Sequence, residues 1–111
     1  MSSVVIKSTN QETISRAVVR YVAELRTKHP EIIRVIWFGS RVTGIPLPGS
    51  DVDLCLILSD SDKLPHERIS DYLPVGFPVG VDLFVYTQEE FERLKETSPG
   101  WFQAITSGCD I

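Results

Sequence analysis

The chain has 111 residues, 42% of them hydrophobic and 23% charged, enough for one core and too few for two ordinary domains, so residues 1–111 are expected to form a single domain. Eleven basic against fifteen acidic side chains give a net charge of −4, which excludes a broad positive surface for the phosphates of a long nucleic acid. No apolar run approaches the roughly 20 residues of a membrane span, and the polar start MSSVVIKSTNQ lacks a signal-peptide core, so a soluble cytoplasmic protein without membrane partners is expected.

Ile14, Ala17, Val18, Tyr21, Val22 and Leu25 recur at the three-and-four spacing of one helical face, and Thr9 with Glu12 offers a capping box. A helix from about Asn10 to Lys28 is predicted, stopped by Pro30. EIIRVIWF is β-branched and aromatic and reads as a strand ending at Phe38, followed by a short helix after Gly39. DVDLCLIL (51–58) and GVDLFVY (80–86) read as two further strands. The polar, proline-marked segment between them carries at most a short helix around residues 65 to 72. TQEEFERLKE has a Thr cap and an acidic first turn, and PGWFQAITSG has proline near its start and glycine past its end, so both are predicted helices. The pattern is that of an α/β (α+β) fold with a small mixed sheet covered by helices.

Asp51 and Asp53 interrupt this apolar pattern. Side chains alternate along a strand, so the two carboxylates share a face about 7 Å apart and repel by roughly 2 kcal/mol at an effective dielectric near 20. Water, a raised pKa or a bound cation must offset that repulsion. Asp82 stands in the third strand between Val81 and Leu83, and if the two strands are neighbours three carboxylates converge, a set suited to a hard cation such as Mg²⁺. A lone D-x-D also fits a strand start with one solvent-facing acid; the third acid and the segment upstream favour the metal. That segment is Gly39-Ser40-Arg41, where glycine lets the backbone turn close to a ligand and the following N–H groups suit an anion. Gly-Ser by itself also fits a plain strand-to-helix turn, and it is not a Walker P-loop, because no Gly-Lys-Ser/Thr follows.

Gly39-Ser40, ten intervening residues, Asp51-Val52-Asp53 and the later Asp82 resemble the signature of the polymerase-β-like nucleotidyltransferase superfamily, and the length resembles its minimal nucleotidyltransferases, the MNT branch. The resemblance implies a nucleotidyltransferase fold. It implies that Gly39 and Ser40 hold the β- and γ-phosphates of ATP, that Asp51 and Asp53 ligate two Mg²⁺ ions, and that Asp82 is the third ligand and candidate base. Arg41 and Ser50 flank the motif as further phosphate contacts. Minimal nucleotidyltransferases resemble antitoxins paired with a small helical HEPN protein, so the implied reaction is transfer of AMP to a tyrosine of such a toxin. Two other readings stay open: a non-catalytic, partner-binding antitoxin, and nucleotidyl transfer to a small hydroxylated compound.

The remaining reactive residues suggest no second chemistry. Cys55 lies within an apolar strand and reads as a packing residue, Cys109 reads as a second free thiol, and His29 and His66 read as loop histidines beside prolines. Trp37, Phe77 and Phe102 read as core aromatics, and Trp101 is the better candidate for an interface.

Overall fold

The computed structural model describes residues 11–44 and 50–111. The proposed Thr9 cap and Asn10 helix start lie outside the described residues. The elements are α1 (Gln11–Lys28), β1 (Ile32–Phe38), α2 (Ser40–Thr43), β2 (Val52–Leu58), α3 (Pro65–Arg68), a 3₁₀ turn (Ile69–Asp71), β3 (Val81–Thr87), α4 (Gln88–Thr97), α5 (Pro99–Thr106) and β4 (Cys109–Asp110).

The four strands form one mixed sheet in the order β3-β2-β1-β4. β1 runs antiparallel to both β2 and β4, whereas β2 and β3 are parallel. The parallel pair requires a crossover, and residues 59–80 supply it through α3 and the 3₁₀ turn. β4 is too short to show a periodicity in sequence; its register, Ile36 with Asp110 and Trp37 with Cys109, is set by the chain returning along β1.

β2 is buried on both faces, which explains why CLIL is a continuous apolar run rather than an alternating one. On one face Val35, Trp37, Leu54, Leu56, Leu83 and Val85 pack against Ile14, Val18, Tyr21, Val22 and Leu25 of α1. Each such side chain contributes about 1.5–3 kcal/mol when fully withdrawn from water. On the other face Ile36, Phe38, Cys55 and Ile57 meet Phe91 of α4 and Ile105 of α5.

Capping fixes where α4 starts. The Thr87 hydroxyl accepts from the Glu90 N–H, and the Glu90 carboxylate accepts in turn from the Thr87 N–H at 2.9 Å. Glu90 also receives both ends of the Arg68 guanidinium, at 2.6 and 3.1 Å. Arg68 is only 4% exposed, and the Lys63 and Val85 carbonyls accept its other N–H groups. The pair thereby ties the crossover to the α4 cap. No helix among the described residues is long and apolar enough to cross a membrane.

Candidate functional site

The site forms at the end of the sheet where β1 finishes and β2 and β3 begin. Asp53 stands opposite Phe38 of β1 on one side and opposite Asp82 of β3 on the other. The parallel register therefore puts two carboxylates side by side on neighbouring strands, about 4.8 Å apart at the backbone. Asp51 precedes Asp53 by two residues and leans toward β3: a Cβ on Gly80 would lie 2.5 Å from Asp51 Oδ1. The Val52 N–H donates to the Gly80 carbonyl at 2.9 Å, which holds the entry of β2 against that of β3.

Electrostatics follow from this crowding. Partial burial, then the charge of Asp82 and a hydrogen bond between the two carboxyl groups, then the charge of Asp51, hold the Asp53 carboxyl above the usual carboxylate range. Folding has thus gathered like charges that repel one another.

Gly39 closes the site from the β1 side. It precedes α2 with φ 92° and ψ −164°, a conformation open to glycine and strained for other residues. A Cβ there would lie 2.1 Å from Asp53 Oδ2, so the missing side chain makes room for the carboxylate. The Gly39 carbonyl turns back to accept from the Val42 and Thr43 N–H groups, both at 3.0 Å, and Ser40 is exposed at the turn.

Arg41 points inward. It is 6% exposed; its Nε donates to the Ser50 carbonyl at 2.7 Å and its Nη1 to Gln11 Oε1 at 2.8 Å, while Nη2 is buried with no hydrogen-bond partner among the described residues. The guanidinium thus fastens the residue just before Asp51 to the start of α1. Sequence reading placed Arg41 and Ser50 together at the site but expected the guanidinium to face phosphates.

The residues beside the acids are aromatic. Phe84 follows Asp82 by two and lies on the same face of β3, next to Cys55 in register. Trp101 of α5 packs edge-on against Phe84 and Phe38, with ring centroids 5.0 and 5.6 Å away. Gly80 and Phe84 escaped the sequence reading. The Gly-Val-Asp triplet that begins β3 was the available signal for Gly80, and strand alternation was the signal for Phe84.

Cys55 is fully buried in the same face, and burial pushes its thiol up to about 12. Cys109 is exposed. Among the described residues, no group of three or more His, Cys, Asp or Glu side chains is gathered closely enough to hold a metal ion as it stands. The donor chemistry of adjacent Asp53 and Asp82 nonetheless fits a hard divalent cation, which takes oxygen ligands and leaves positions for substrate and water.

Comparison with known proteins bears on the fold and the family. A solved structure of a candidate nucleotidyltransferase from Sulfolobus solfataricus superposes with a TM-score of 0.62 at 25% sequence identity, covering 82% of this chain and 80% of that one. None of the curated proteins matches the chain. The nucleotidyltransferase domain family matches residues 18–103, a span that contains the Gly39 turn, all three aspartates and most of α5. The chain belongs to the nucleotidyltransferase domain family.

Proposed function

We propose that this protein transfers AMP from ATP, with Mg²⁺, to a tyrosine hydroxyl of a helical HEPN partner and acts as that toxin's antitoxin. The observation that supports nucleotidyl transfer is the Asp53–Asp82 register with Gly39 folded onto Asp53, two oxygen donors beside a sharp backbone turn; the tyrosine acceptor and the antitoxin role rest on the resemblance to minimal nucleotidyltransferases. Asp53 and Asp82 would hold the divalent ions together with Asp51, whose carboxylate lies over Gly80. Bound there, Mg²⁺ would neutralise triphosphate charge and lower the pKa of the attacking hydroxyl.

The chain's own groups divide the remaining work. The Gly39-Ser40 turn offers backbone N–H groups and an exposed hydroxyl to the β- and γ-phosphates. Arg41 keeps Ser50, and with it the start of β2, in place. Asp82 is exposed at the rim and takes the proton of the acceptor hydroxyl. The acceptor oxygen bonds to the α-phosphorus while the bridging bond to the β-phosphate breaks, and pyrophosphate departs with that electron pair.

Calorimetric titration with a non-hydrolysable ATP analogue and Mg²⁺, beside the Asp51→Asn, Asp53→Asn variant, tests the site. Metal-dependent binding lost in the variant is the expected result; equal binding by both proteins refutes the assignment. Incubation with α-labelled ATP and the HEPN partner then tests the acceptor. Label on a partner tyrosine supports modification, whereas neutralisation that survives in the aspartate variant supports binding alone.

A further inference from the structure

The acids occupy one row across the sheet, Phe38–Asp53–Asp82, and the next row on the same face is Ile36–Cys55–Phe84. Trp101 bridges the two rows by packing on Phe38 and on Phe84. Its Nε1–H donates to the Tyr86 hydroxyl at 2.9 Å, which fixes the orientation of the indole from two residues further along β3. The ring is only partly buried, in contrast to Trp37, which lies in the α1-side core at 8% exposure.

Trp101 is thus a partly buried ring held in one orientation on the two residues, Phe38 and Phe84, that adjoin the acid row. Two strand residues separate the rows by about 6.6 Å, so Phe84, on which the indole packs, lies one row from the acids. A planar, neutral ring is also the one part of a nucleotide that gains from an aromatic wall rather than from charge.

We propose that Trp101, held by Phe84 and Tyr86, is the stacking surface for the nucleobase of the donor nucleotide. The inference rests on the nucleotide site assigned above. It makes Trp101 a binding residue that orients the nucleotide so that its α-phosphate meets Asp53 and Asp82. Stacking tolerates any base, so this surface alone predicts modest discrimination between ATP and GTP.

The test uses the full chain labelled with 5-fluorotryptophan, whose two resonances are assigned with Trp101→Phe, together with calorimetry. Mg²⁺ and the ATP analogue are expected to shift the Trp101 resonance and leave that of Trp37 in place. Trp101→Leu should weaken the analogue about tenfold, in line with the loss of one base–aromatic stack, while Trp101→Phe keeps most of the affinity. Inorganic tripolyphosphate with Mg²⁺ carries the phosphates without a base, so its affinity should be the same in wild type and Trp101→Leu. Equal weakening of tripolyphosphate and nucleotide would show that Trp101 only supports the fold and would overturn the proposal. Unchanged nucleotide affinity in Trp101→Leu with an unmoved Trp101 resonance would overturn it as well, leaving the nucleotide site intact. Absence of nucleotide binding by the wild-type protein would remove both this inference and the site beneath it.

Discussion

Replacing Gly39 by alanine isolates the contact on which the site depends. Two costs separate at this position. The first is conformational, because φ 92° with ψ −164° is strained for a residue with a side chain, at about 1–3 kcal/mol. The second is steric, because the new Cβ would stand 2.1 Å from Asp53 Oδ2 and the carboxylate must swing away from its place beside Asp82. Gly76 provides the control: it also has positive φ, at 69°, but a Cβ there meets nothing within 4 Å, so Gly76→Ala carries the conformational cost alone, about 1–2 kcal/mol. With the usual unfolding entropy per residue, each 1 kcal/mol lowers the melting temperature of a chain this size by about 4 °C. Circular dichroism melts should therefore show a loss of about 4–8 °C for Gly76→Ala and a larger one for Gly39→Ala. Introducing Asp53→Ala removes the clashing oxygen, so the Gly39→Ala penalty should shrink by about 1 kcal/mol or more in that background. Equal losses for the two glycines, with strict additivity of Gly39→Ala and Asp53→Ala, would show that Gly39 does not press on Asp53.

Asp53→Asn removes one of the converging like charges, and in chelator it should raise the melting temperature by several degrees, a gain of about 1 kcal/mol; an unchanged or lower value would mean that the carboxylates are already compensated. Glu90→Gln removes the charge that answers the buried Arg68 guanidinium, and chemical denaturation at neutral pH should register a loss of about 2–4 kcal/mol. The Arg68 hydrogen bond holds the folded Glu90 carboxyl below its usual value of 4.5, so this contribution is complete above about pH 4.5 and is lost as pH falls through the lower folded value. The gap between wild type and Glu90→Gln should accordingly close in acid, and a gap constant with pH would contradict the pairing. At pH 8 a thiol with a pKa of about 12 is ionised to only about 1 part in 10⁴, so an aromatic disulfide reagent should label Cys109 promptly and Cys55 only on unfolding. Arg41→Ala unfastens Ser50 from α1 and should cost about 1–3 kcal/mol of stability with or without phosphate ligands; a loss confined to nucleotide affinity would instead make Arg41 a phosphate contact.

Local pattern determined most of the elements. The spacing from Ile14 to Leu25 specified α1 and its buried face, the β-branched runs located three strands within a residue or two of their ends, and the Thr cap with its acidic first turn marked the start of α4. Alternation predicted Asp51 and Asp53 on one face, because the period of two belongs to any strand whatever its neighbours; β2 itself begins at Val52, so Asp51 stands just before it. Pairing is a different matter, since nothing within a strand names its partner or its register. Only the tertiary structure decided that β3 lies parallel to β2 with Asp82 in step with Asp53, that Gly39 folds onto that carboxylate, and that Trp101 arrives from α5 to pack on Phe38 and Phe84. The two-residue β4 was equally illegible, because it exists through its pairing with β1 and carries too few residues for a pattern. Arg41 shows the same limit from the other side: the sequence placed a cation next to a phosphate-type turn, but whether its guanidinium faced a ligand or the Ser50 carbonyl depended on where α1 and the start of β2 came to rest.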